Sequence, residues 1–187
     1  MVSKAFSAGV APGGLRDKNE IKILICYIVE KMEIPLEKND IILVLQAYGL
    51  ANYFEVSEAF SDLESNGSIE KVDEKISITP QGKIIVEELS QKLPATVRDK
   101  ALKIIKAYGE RMKIEKENKV IIRENKYGFD VTCIVSGGNF DMLKLTLYAP
   151  DKEFANTIKN NFYKNPGQVY NYILSLVTGQ NFLSGSG

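Results

Sequence analysis

Apolar residues return every three or four positions at Ile21, Leu24, Ile25, Ile28 and Met32, and this spacing predicts a first helix. Asp17 and Glu20 stand three apart just ahead of it, the pattern of a reciprocal cap on a first turn. After a break at Pro35, the dense apolar run from Ile41 to Ala47 predicts a short, mostly buried second helix, capped by Asn39 and stopped at Gly49. A third helix is expected in LANYFEVSEAFSDLESNG, where Val56, Ala59, Phe60 and Leu63 share one face and Gly67 suits the left-handed conformation that closes helices. The period then shortens to two, with Ile69 and Val72 in one short strand, a turn at DEK, and Ile76 and Ile78 in its partner. Thr79 followed by Pro80 is a cap and first-turn pair, so the returning strand should lead straight into a fourth helix, from Pro80 to about Ser90.

Pro94 separates this unit from a longer helical pattern over residues 95–112, with Ala101, Ile104, Ile105, Tyr108 and Met112 on its apolar side. Beyond it, KVIIRE, YGFDVTCIVS and FDMLKLTLY alternate as strands, joined by the turns NKYG and SGGN, and an antiparallel meander is the simplest topology. Phe129, Val131, Cys133 and Val135 share a face of the middle strand, and Leu143, Leu145 and Leu147 share a face of the last. Two helices follow, Asp151 to Asn161 and Pro166 to Val177, the second capped by Asn165. The expected fold class is α+β: an N-terminal winged helix-turn-helix, a connecting helix, and a C-terminal three-stranded antiparallel sheet with two helices. By residue, that is a flexible tail at 1–15, the winged unit at 16–93, a connecting or dimerisation helix at 94–113, an α+β domain at 114–179 and a flexible tail at 180–187.

The 187 residues include no histidine, which removes the commonest general base, metal ligand and pH switch. No enzyme activity, cofactor or metal is therefore expected. Cys26 and Cys133 lie far apart in patterns that bury them, and both read as buried thiols. No apolar run approaches the roughly 20 residues of a membrane helix, and MVSKAFSAGVAPGG lacks the apolar core of a secretory signal. A cytoplasmic protein with no membrane partner is expected. GVAPGGLRDK lacks the Gly-Lys-Ser/Thr ending of a phosphate loop. Net charge is zero, yet residues 1–95 carry 10 Lys and Arg against 15 Asp and Glu, whereas residues 96–187 carry 14 against 9.

A winged helix ordinarily lays its third helix in the major groove and its hairpin near the backbone, so double-stranded DNA is the expected partner. With Val56, Phe60 and Leu63 turned inward, Asn52, Glu55, Glu58, Ser61 and Ser65 fall on or beside the outer face. The candidate DNA contacts are Asn52, Ser57 and Ser61 on that helix, Arg16, Lys18 and Lys22 around the first, Lys71 and Lys75 in the hairpin, and Lys83 beyond it. The outer face has two carboxylates and no Lys or Arg, so it lacks both the phosphate-neutralising and the guanine-reading devices. Weak, strongly salt-dependent binding is expected, with a log–log salt slope of about −4 to −5 for a dimer using two or three cations per subunit. A homodimer is expected through Ala101, Ile104, Ile105 and Tyr108. The basic stretch Arg98, Lys100, Lys103, Lys106, Arg111, Lys113 and Lys116 reads as a solvated face or as a partner for the acidic first half. Tyr127, Phe129, Phe140 and Tyr148 read as packing on the meander, with a pocket for a small-molecule effector as the alternative.

PGGLRDKNEIKILICYIV, YFEVSEAFSDLESNG and ISITPQGK together resemble, over nearly the full length, a bacterial family of unknown function found mainly in anaerobic Gram-positive organisms. Its members are described as predicted winged-helix transcriptional regulators. The resemblance implies a DNA-binding regulator whose second domain serves oligomerisation or effector sensing, and it brings no catalytic residue with it. The alternative reading is a protein-docking module, because an acidic third helix suits a basic protein better than a polyanion.

Overall fold

In the computed structural model, residues 10–182 are described, and the chain divides into two compact units with the boundary between Glu110 and Arg111. The first unit runs α1 (Lys18–Lys31), α2 (Lys38–Ala47), α3 (Tyr53–Ser65), β1 (Ile69–Val72), β2 (Lys75–Ile78), α4 (Pro80–Leu89) and the opening turns of α5 (Ala95–Glu117). The Asp17 carboxylate accepts the Asn19 and Glu20 N–H groups at 2.8 and 3.1 Å and so caps α1, the Asp17 half of the expected reciprocal pair. Ile21, Leu24, Ile25, Cys26 and Ile28 are fully buried, with Ile23 and Val29 nearly so, and α1 packs against α3, α4 and β2. It is the pillar of the unit.

The second helix begins earlier than the apolar run suggests. Glu37 occupies the cap and its N–H donates to Asp40 Oδ2 at 3.3 Å, so Asn39 lies exposed inside the first turn and caps nothing. Residues 10–15, expected within a free tail, are tied down. The Ala11 and Leu15 N–H groups donate to the Gly49 and Leu50 carbonyls at 3.0 and 2.8 Å, and Leu15 is buried. The remainder of that expected tail, residues 1–9, and residues 183–187 lie outside the described residues.

β1 and β2 pair antiparallel, with Ile69 opposite Ile78 and Val72 opposite Lys75. Asp73 and Glu74 both adopt positive φ, +47° and +66°, as a two-residue primed turn requires. The strand meets α4 without a loop because Thr79 serves both: its hydroxyl lies 2.7 and 2.9 Å from the Gly67 and Ser68 carbonyls, and its oxygen accepts the Gly82 N–H at 3.2 Å. Gly82 completes the junction, since a Cβ there would stand 2.1 Å from the Ser68 carbonyl oxygen. Gly82→Ala should therefore lose about 1–3 kcal/mol of stability despite about 1 kcal/mol of better helix propensity. Urea unfolding followed by circular dichroism measures this loss.

α5 is longer than the expected 94–113 segment. Ala101 and Ile105, expected on a dimer face, are buried in the core of their own unit, and Ile104 and Tyr108 pack against it. The Tyr108 hydroxyl also donates to Asp40 Oδ1 of α2 at 2.9 Å. An apolar stripe shows that a face is covered, not by what.

The second unit takes the rest of α5, then β3 (Lys119–Asn125), β4 (Gly128–Ser136), β5 (Asp141–Ala149), α6 (Lys152–Phe162) and α7 (Pro166–Thr178). The sheet is the antiparallel meander β3-β4-β5, with a bulge at Val135/Ser136. Val131 faces Leu147, Cys133 faces Leu145 and Val135 faces Leu143, so the predicted apolar face is continuous across β4 and β5. Both helices pack on β4, and Asp151 and Asn165 cap them through the Phe154 and Gln168 N–H groups at 2.7 and 2.9 Å. Of the four aromatic residues expected to pack on this sheet, Phe129 joins the core, but Tyr127, Phe140 and Tyr148 are exposed. Among the described residues no helix is long and apolar enough to cross a membrane.

Both cysteines are buried, as their positions suggest. Burial pushes the Cys26 thiol from 9.0 up to about 12 and raises that of Cys133. Because the folded state holds the Cys26 thiol protonated, its contribution to stability is intact below the ordinary value of 9.0 and is lost as pH rises toward about 12. A thiol-reactive aromatic disulfide at about pH 8 should leave both groups untouched in the native protein and titrate both after denaturation.

Candidate nucleic-acid interface

α3 turns Val56, Ala59, Phe60 and Leu63 into the core of the first unit, which leaves Phe54, Glu58, Ser61 and Ser65 outward and exposed. Residues 70–74 of the hairpin are exposed as well. α3 also packs against β1, which makes the helix and the hairpin adjoining parts of one surface.

The charges on that surface are latched together. Lys18 of α1 reaches Glu58 of α3 at 2.8 Å and Glu55 at 3.8 Å, and one turn further Lys22 reaches Asp62 at 2.6 Å. Lys38 of α2 meets Glu64 at 3.1 Å, Lys75 meets Glu37 at 3.1 Å, and Lys71 pairs with Glu74 at the hairpin tip. The hydrogen bond to Glu58 raises the Lys18 ammonium above its usual range, and the hydrogen bond from Lys22 holds the Asp62 carboxyl below its own. The Lys22–Asp62 contact is thus intact at neutral pH and is lost only as pH falls below the ordinary carboxylate range. Exposed pairs of this kind contribute about 0–1 kcal/mol each, so a phosphate can draw the lysines away. The carboxylates stay behind on α3, where they repel it.

The proposed contacts separate accordingly. Arg16 and Lys83 are exposed and form no ion pair among the described residues. Lys71 and Lys75 sit on the hairpin and Lys18 beside α3, each with a carboxylate partner. Asn52, a candidate DNA contact, is 8 % exposed and caps α3, its side-chain oxygen accepting the Phe54 N–H at 2.9 Å. Glu55 is 8 % exposed as well and does not belong to the outer face. Ser57 is half-buried, and the Ser61 hydroxyl donates back to its carbonyl at 3.1 Å. Helix N-termini need such caps, and a polar residue ahead of an apolar run serves that need before it serves a ligand.

Two features escape a residue-by-residue reading. One is the latch itself, whose signal is a shared spacing of four in Lys18 and Lys22 and in Glu58 and Asp62, one charge sign on each helix. The other is the aromatic pair Tyr53 and Phe54, exposed by 38 % and 70 % and packed edge to face with ring centres 5.5 Å apart. Of the basic stretch on α5, Lys106 pairs with Glu33 at 3.1 Å within the first unit and Lys100 donates to the Tyr48 carbonyl at 3.1 Å. Arg111 pairs with Glu115 of its own helix.

A family model described as a domain of unknown function (DUF4364) matches residues 21–177. No curated protein and no solved structure matches the chain.

Proposed function

The chain belongs to that family of domains of unknown function, and from this premise we propose that it is a DNA-binding transcriptional regulator whose first unit works as a winged helix-turn-helix. The observation that carries the reading is the joint exposure of α3 and the β1–β2 hairpin, after a three-helix core and directly before α4. In this arrangement α3 enters the major groove while Lys71 and Lys75 on the hairpin and Arg16 and Lys83 at its flanks neutralise phosphates. The proposal includes work in the cytoplasm and a homodimer formed on a surface other than the buried Ala101 and Ile105. Two α3 helices about 34 Å apart would then match successive turns of DNA. The second unit serves oligomerisation or effector sensing.

Anisotropy of a fluorescent duplex tests this reading. The charge reversal Lys71→Glu with Lys75→Glu should weaken binding by about 10–100-fold at low salt, because two phosphate contacts become two repulsions. A double variant that binds as tightly as the wild type would remove the hairpin from the interface. A second reading, a docking surface for a basic protein, is favoured by the exposed Tyr53–Phe54 pair beside the α3 carboxylates, since aromatic residues concentrate at protein interfaces. Phe54→Ala would then abolish capture of that partner without changing affinity for DNA.

A further inference from the structure

A cavity of about 150 Å³ lies within the first unit, between the segment after α1 and the face of α5. Its inner wall is Met32, Ile34, Leu102 and Ile105, all buried or half-buried. Its other lining side chains, Lys31, Glu33, Lys106 and Glu110, are exposed, and the Lys106–Glu33 ion pair at 3.1 Å joins the two sides of the mouth. Gly109 stands in the middle of α5, where glycine weakens a helix. A Cβ there would come 3.2 Å from Ile34 Cβ, so the missing side chain is what lets Ile34 seat beside the cavity.

A cavity of this volume accepts a group the size of a benzene ring. Its rim carries two ammonium groups and two carboxylates, so it neither attracts nor repels net charge and matches a ligand bearing one charge of each sign. We propose that this cavity binds a free apolar α-amino acid. The isobutyl, sec-butyl or benzyl side chain fills the space between Ile34 and Leu102, the α-carboxylate pairs with Lys31 or Lys106, and the α-ammonium with Glu33 or Glu110. The Lys106–Glu33 pair is exposed on both sides, so its members can exchange one another for the ligand's own charges. The inference depends on the regulatory reading only for its purpose as a signal. The binding itself is tested with no DNA present.

Isothermal titration calorimetry of the full chain with L-leucine, L-isoleucine and L-phenylalanine is the experiment. Saturable binding with a Kd between about 10 µM and 1 mM is expected for at least one of them. Isovalerate, which lacks the ammonium, and isoamylamine, which lacks the carboxylate, should each bind at least about tenfold more weakly. Leu102→Phe fills the space and Lys106→Gln removes a rim cation while leaving the core untouched, and each should weaken binding by at least about tenfold. No heat from any of the three amino acids at about 10 mM, equal affinity for the single-charge analogues, or unchanged affinity in both variants would overturn the proposal. Those results leave the DNA reading standing, and amino-acid binding by a chain that ignores DNA would do the reverse.

Discussion

Phe60→Ala is expected to lower the free energy of unfolding by about 3–5 kcal/mol. Phe60 is fully buried on the inner face of α3, where it is among the largest side chains in the first core. Truncation removes its transfer free energy and leaves a void in the core of the first unit that the packed neighbours cannot wholly fill. The Lys38 ammonium, 5.7 Å from the ring centre, loses its aromatic contact as well. A domain holds about 5–15 kcal/mol in total, so the variant should be partly unfolded near physiological temperature. Urea titration should show a lower midpoint with an unchanged slope. Phe54→Ala on the same helix is the control, since its ring is 70 % exposed and its removal should cost less than about 0.5 kcal/mol. Equal losses at the two positions would mean that the outer face of α3 is packed after all.

The second large effect runs in the direction of gain. Replacing both latch carboxylates, Glu58→Gln with Asp62→Asn, should tighten non-specific duplex binding by about 10–100-fold at about 0.1 M salt. Glu58 and Asp62 now neutralise Lys18 and Lys22 from within the surface. With the amides in place, two lysines become available to phosphate and two repulsive charges disappear from the helix. The log–log salt slope should steepen by about 1.8 per subunit, two phosphates at about 0.9 each, and so by about 3.6 for a dimer. The cost in stability is small, about 1 kcal/mol per exposed pair at most. If a basic protein is the partner instead, the same substitutions weaken its capture, and the sign of the change separates the two readings.

The sequence was most informative where covalent geometry and periodicity act locally. The Thr79-Pro80 junction, the Asp17 and Asn165 caps and the shared face of Val131, Cys133 and Val135 all follow from short-range rules, and each is present. It was least informative where one residue type can serve two needs. Asn52 is as suited to capping as to reading a base, and the open N–H groups of α3 claim it. Ala101 and Ile105 would suit a second copy equally well, but α1–α4 already supply the cover. Residues 10–15 show no period at all, because backbone hydrogen bonds to Gly49 and Leu50 hold them with no pattern of side chains. The latch was visible only as a coincidence of spacing between segments 40 residues apart.

The DNA-binding reading depends on α3 and its neighbouring hairpin meeting a polyanion as one surface. The most direct measurement is the affinity of the unaltered protein for a labelled duplex between about 25 and 200 mM salt. A dimer that contacts DNA through two or three of Arg16, Lys83 and the hairpin lysines in each subunit gives weak binding that falls steeply, with a slope of about −4 to −5. Absence of any binding at the lowest salt, or an affinity indifferent to salt, would show that nucleic acid is not what this surface meets.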